Sequence, residues 1–175
     1  MGDFNLLVST SRRNERKACN EFWYLLREAG DNSAEIEPSN ISGLVLSKTN
    51  LDPVKVVEKL RSILLQKPWE FRYVLKVRPI QVIVPTDLEE IGAKAAELAS
   101  AYIAEGESFR VTVDKRRSDL RSKEIVEEVA GRIDRKVNLE QPDKMILIEV
   151  LGDITGISAI PPEAVLSVER ERRAL

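Results

Sequence analysis

Apolar and polar positions alternate along this chain with two different periods, and the changes of period mark its elements. The run Phe4–Thr10 is short and apolar, as a buried strand requires. From about Arg13 to Ala29 the period becomes helical: Ala18, Cys19, Phe22, Leu25, Leu26 and Ala29 share one face, and Gly30 supplies a stop. Two strands are predicted at 34–37 and 42–48, joined by Pro38-Ser39-Asn40. A second helix opens with Asp52 as cap and Pro53 in the first turn, repeats Val56, Val57, Leu60, Ile63 and Leu64, and stops before Pro68. From Trp69 to Val84 the period is two. Phe71, Tyr73, Leu75 and Val77 are expected on one face of a strand, with Arg72, Lys76 and Arg78 on the other beside Val74. Pro79 places that strand at an edge or bends it.

A new helix is expected at about 87–104, with a capping box formed by Thr86 and Glu89 and with Leu88, Ile91, Ala95, Leu98 and Tyr102 on its apolar face. A strand at 109–114, a helix at about 119–135 and a short strand at 137–139 follow. Met145–Val150 is almost continuously apolar, which suits a central strand buried on both faces. Gly152-Asp153 turns the chain into a strand over 154–160. Residues 163–175 are read as a terminal helix packed through Val165, Leu166 and Val168. The predicted class is α+β, in two domains, 1–84 and 85–175, with the boundary placed between 70 and 87. The first has βαββαβ order, the ferredoxin-like plan; the second is α/β with a mixed central sheet.

Composition narrows the chemistry. Histidine is absent and Cys19 is the single cysteine. The common general base, the Ser-His and Cys-His nucleophile pairs and the usual zinc ligand sets are therefore missing. No catalytic residue, metal site or cofactor is assigned, and no phosphate-binding glycine loop occurs. With 43% hydrophobic and 32% charged residues and no apolar run of membrane-spanning length, the expectation is a folded cytoplasmic protein; the N-terminus lacks the features of a signal peptide.

The net charge of −2 hides an uneven distribution. Between Pro85 and Glu107, Asp87, Glu89, Glu90, Glu97, Glu105 and Glu107 stand against Lys94 alone. Between Ser108 and Lys123, Arg110, Lys115, Arg116, Arg117, Arg121 and Lys123 stand against Asp114 and Asp119. A strand thus delivers cations to a loop at the start of a helix, where free backbone N–H groups favour an anion and arginine forks grip phosphate. The competing reading is a solvated loop neutralised by the acidic helix before it. A second cationic group is Arg72, Lys76 and Arg78 on one strand face, and a third is Arg12, Arg13, Arg16 and Lys17 at the first helix start. Trp23, Trp69, Phe109 and Tyr102 are the aromatics available for stacking on bases.

Phe109, Val111, Arg116 and Arg117, then Ile125, Val129 and Ala130, then Val137, Leu139, Pro142 and Asp143, and finally Ile146, Ile148, Glu149 and Val150 resemble a THUMP domain. The closing Gly152-Asp153 and Gly156-Ile157-Ser158 are similar to the branch that serves as accessory protein in tRNA cytidine acetylation. Phe4–Thr10 and Arg78-Pro79-Ile80 before Thr86-Asp87-Leu88 resemble that branch's N-terminal ferredoxin-like domain. The resemblance implies a non-catalytic adaptor that binds tRNA, rather than DNA or a membrane. It would present the tRNA to a partner acetyltransferase that forms N(4)-acetylcytidine in the D-arm. It carries over Arg116, Arg117, Gly156 and Ser158 as RNA contacts; the charge pattern adds Lys115, Arg121, Lys123, Arg72, Lys76, Arg78, Arg12 and Arg13. The alternative is a protein-interaction or ligand-sensing module, with the acidic helix as docking surface. A small carboxylate- and lysine-based enzyme such as a nuclease ranks below both, because no paired acidic motif occurs.

Overall fold

The apolar run at residues 6–8 becomes β1 (Leu6–Ser9), which pairs on both sides and lies inside the first of two sheets. A computed structural model describes residues 1–175 and divides them into two units, Met1–Ile80 with Glu163–Leu175, and Gln81–Pro162. The class is α+β: the first unit is built on an antiparallel sheet and the second on a mixed one.

In the first unit β1 is followed by α1 (Glu15–Glu28), β2 (Glu35–Pro38), β3 (Leu44–Lys48), α2 (Pro53–Gln66) and β4 (Lys76–Pro79). The sheet order is β4-β1-β3-β2, extended beyond β4 by a short strand, β10 (Leu166–Ser167). The core forms where the predicted helix faces meet one sheet face: Ala18, Phe22, Leu25 and Leu26 from α1 and Val56, Val57, Leu60 and Leu64 from α2 pack with Leu6, Val8, Val45 and Val77. Asp52 caps α2 by accepting from the N–H groups of Val54 and Lys55, and Pro53 occupies the first turn.

Asp31 ties the exit of α1 to the turn after β3. The buried carboxylate accepts from Ser33 N–H at 3.0 Å, Asn50 N–H at 2.9 Å and the Thr49 hydroxyl. Burial pushes its pKa up, but the donors from Thr49, Ser33 and Asn50 outweigh this and hold it below the ordinary carboxylate value. Its stabilisation is therefore present above the unfolded pKa of about 3.9 and is lost as pH falls through the folded value. Asp31→Ala is expected to cost about 3 kcal/mol in urea unfolding at pH 7 and to flatten the loss of stability below pH ~4. An unchanged unfolding midpoint would rule out this role.

Residues 68–85 depart from the predicted strand. Pro68–Glu70 is a 3-10 turn, residues 71–75 are irregular, and only Lys76–Pro79 pairs as β4. Phe71 and Val74, three apart, are buried, whereas Leu75 is exposed. The reason lies in Glu21 of α1. Its carboxylate accepts from the backbone N–H groups of Arg72, Tyr73 and Val74 at 2.8, 2.9 and 2.7 Å. Those amides are satisfied by a side chain instead of a strand, so the chain wraps around it. The apparent period of two in this stretch was accidental.

The C-terminal segment also differs from expectation. Glu163–Leu175 groups with the first unit: Leu166 and Ser167 pair with Val77 and Lys76 of β4 before α5 (Val168–Arg173). Arg61 of α2 anchors it by donating to Glu171 at 2.9 Å and to the carbonyls of Glu163 and Val165.

The second unit starts with β5 (Val82–Pro85), the far end of the stretch read as one strand. It continues through α3 (Leu88–Tyr102), β6 (Ser108–Arg116), α4 (Ser122–Gly131), β7 (Lys136–Val137), β8 (Lys144–Leu151) and β9 (Ile154–Ile160). The sheet order is β5-β9-β8-β6-β7, with β6 parallel to β7 and β8 and the other pairs antiparallel. Ile91, Ala95 and Ala99 of α3 and Ile125 and Val129 of α4 pack on Phe109, Ile146, Ile148, Val150 and Ile157. The cap of α3 is Asp87, which accepts from Glu90 N–H at 3.0 Å; Thr86, expected as the cap, bonds instead to the Thr155 hydroxyl at 2.8 Å. Tyr102, placed by period on the apolar face, is exposed at the last turn.

Candidate nucleic-acid interface

β6 sorts its side chains by parity. Phe109, Val111 and Val113 turn toward the helices and join the core, which leaves Arg110, Thr112, Asp114 and Arg116 on the opposite face. Phe109 is thereby removed from the aromatics that could meet a base. The strand runs longer than predicted, so Lys115 and Arg116 are its last residues and only Arg117 opens the turn. Arg117 adopts a left-handed backbone, φ 56°, which turns the chain sharply before Ser118. α4 starts at Ser122, later than expected, with Arg121 at the cap position and no side-chain cap.

Adjacent arginines in this passage have different roles. Arg116 donates to Glu149 at 2.6 Å, and Glu149, in the middle of β8, has 0% exposure. Arg116 is half-buried and pairs with a buried carboxylate, so it belongs to the unit's structure. Arg117 is exposed and has no carboxylate partner. Lys115 is exposed and donates to the Leu120 carbonyl at 2.7 Å. Arg121 and Lys123 have side chains 84% and 86% exposed and reach Glu124 and Glu127 at 3.7 and 3.9 Å. Such surface contacts are worth about 0–1 kcal/mol and give way readily to a phosphate.

The acidic helix does not neutralise this turn. Glu89 pairs with Arg132, Glu97 with Lys94 at 3.1 Å and Glu107 with Lys144 at 2.9 Å. Asp87 is occupied by its cap. Lys115, Arg117, Arg121 and Lys123 thus remain as a cationic cluster around the uncapped first turn of α4, where unbonded N–H groups and the helix dipole add to the attraction for an anion.

The other expected contacts divide. Gly156 and Ser158 are buried within β9; Gly156 lies opposite Ile83 and Glu149, and the Ser158 hydroxyl accepts from Gln81 N–H at 3.1 Å. They build the sheet and offer no surface to RNA. The stripe Arg72, Lys76 and Arg78 does not exist. Arg72 precedes the strand, Lys76 is half-buried, and Arg78 is buried with its guanidinium on the Ser9 hydroxyl. Arg12 and Arg13 are exposed in the turn before α1, Arg13 at φ 72°. Sequence reading missed the Glu149 partnership, although a lone carboxylate inside Met145–Val150 demands a buried cation. No group of three or more His, Cys, Asp or Glu side chains is arranged to hold a metal ion. No helix is long and apolar enough to cross a membrane.

Fold and site together define an α+β protein whose second unit, a mixed sheet backed by two helices, carries an exposed cationic strand-to-helix turn. Residues 85–159 match the THUMP domain family, so the second unit contains a THUMP domain. An uncharacterized protein of Methanocaldococcus jannaschii is 29% identical over 143 residues, which is 79% of this chain and 36% of that protein. The fold is similar to PH1313 from Pyrococcus horikoshii, with a TM-score of 0.63 and 22% identity over 91% of this chain and 55% of that one. It is also similar to TrmN from Thermus thermophilus, TM-score 0.57 and 18% identity over 88% of this chain and 44% of TrmN. A 4-thiouridine synthetase solved with RNA and ATP gives TM-score 0.57 and 14% identity over 94% of this chain and 42% of the synthetase. The chain thus spans little more than half, or less, of each of these relatives.

Proposed function

We propose that this protein binds tRNA through the turn between β6 and α4 and presents it to a separate modification enzyme. Lys115, Arg117, Arg121 and Lys123 neutralise phosphates, the free amides of α4 donate to one of them, and Arg116 holds the strand end in place through Glu149. Recognition of this kind reads the shape and charge of an RNA, not base edges in a groove. The observation that carries the proposal is the cationic turn left unneutralised by the acidic helix beside it in sequence.

The THUMP domain and the fold shared with an RNA-bound 4-thiouridine synthetase support tRNA modification as the setting. The resemblance to the accessory branch, together with the lack of histidine, favours a non-catalytic adaptor whose partner is a cytidine acetyltransferase. Two experiments in cells test this. Crosslinking and sequencing of bound RNA is expected to enrich tRNA, and cells lacking the protein are expected to lose N(4)-acetylcytidine from tRNA. An RNA profile without tRNA enrichment removes the first claim; intact acetylcytidine removes the second and leaves the first.

A further inference from the structure

The outward face of α1 is not explained by the fold. Its core stripe is complete in Ala18, Phe22, Leu25 and Leu26. The same helix leaves Trp23 42% and Tyr24 65% exposed, with ring centroids 4.9 Å apart and planes at 85°. Arg16, Asn20, Trp23, Tyr24 and Arg27, three and four apart, form one exposed stripe along the helix. The Arg27 guanidinium lies 4.7 Å from the Trp23 ring centre, and Lys17 lies 5.4 Å from that of Tyr73.

The charge balance of this face says what covers it. Every carboxylate of α1 is already engaged: Glu15 accepts from Gly43 and Arg13 N–H, Glu21 from three amides of residues 72–74, and Glu28 from Lys67 at 3.5 Å. None of Arg12, Arg13, Arg16, Lys17 and Arg27 has a carboxylate partner. The helix and the turn before it present five cations, none paired with the helix's three carboxylates, which are bonded elsewhere, and two large rings lie among them. Unpaired nucleotides have the complementary chemistry, bases that stack on rings and phosphates that meet cations. An apolar protein partner needs the rings but not the uncompensated cations.

We propose that this face of α1 is a stacking platform for unpaired RNA nucleotides, with Trp23 and Tyr24 as the stacking surfaces and Arg16, Lys17 and Arg27 as phosphate contacts. The proposal rests on the RNA-binding reading above but places a second contact in the first unit. It also gives a use to aromatic rings that the core does not need.

The protein has two tryptophans, Trp23 and Trp69, so the full chain carrying Trp69→Phe reports from Trp23 alone. Oligouridylate, which has bases but little structure, is expected to quench this emission saturably, whereas polyphosphate of equal charge is not. Trp23→Ala and Tyr24→Ala are each expected to weaken oligouridylate binding about tenfold, and Trp23→Phe to preserve it. Because these side chains stand outside the core, circular dichroism of the variants should match the wild type. Unchanged emission, equal quenching by polyphosphate, or wild-type affinity in Trp23→Ala overturns the platform. If tRNA still shifts in a mobility assay under those outcomes, the tRNA reading stands and the face passes to a protein partner. If wild-type protein shifts no tRNA and oligouridylate leaves Trp23 unquenched, both fall.

Discussion

Replacing Arg116 by glutamate is expected to destabilise the protein by about 3–5 kcal/mol in urea or thermal unfolding. Glu149, fully buried in β8, would then face a second carboxylate in place of the guanidinium 2.6 Å away. A like charge brought against a carboxylate with no exposure is poorly screened, and the attraction it replaces is lost as well. The neighbouring change, Arg117→Glu, is expected to alter stability by no more than about 0.5 kcal/mol, since Arg117 is exposed and has no ion pair. An unfolding midpoint for Arg116→Glu close to that of Arg117→Glu would show that the pair does not support the sheet. The consequence for function is practical: loss of RNA binding in an Arg116 variant reports on folding as well as on contact.

The second large effect is expected from replacing Lys115, Arg117, Arg121 and Lys123 together by alanine. Each supplies a charge worth roughly 1 kcal/mol against a phosphate about 4 Å away in water, so tRNA affinity at low salt should fall by about two to three orders of magnitude. The bonds given up are the Lys115–Leu120 carbonyl contact and two loose surface pairs. The unfolding transition should therefore stay near that of the wild type. Normal affinity in this variant would remove the β6–α4 turn from the interface.

Much of this architecture is written in the chain's periodicity. Both core stripes, on α1 and α2, and the Asp52-Pro53 start were legible because they depend on residues within one helix. The failures involve partners far away in sequence. The alternation at 71–78 looked like a strand until Glu21, about fifty residues earlier, bonded three of its amides. Arg116 looked like an RNA contact because its buried partner, Glu149, lies 33 residues on, and Ser158, an RNA contact by resemblance, is buried in β9 and accepts from Gln81 N–H, 77 residues away. Charge clustering alone marks a cationic segment; only burial and pairing divide it into cations that hold the fold and cations left for a partner.

The salt dependence of tRNA affinity tests the central claim most directly. For wild-type protein, the logarithm of the association constant should fall linearly with the logarithm of salt concentration, because each neutralised phosphate releases counterions. In the fourfold alanine variant at 115, 117, 121 and 123 the slope should be shallower by about 3, with folding unchanged. Equal slopes for the two proteins would contradict the account.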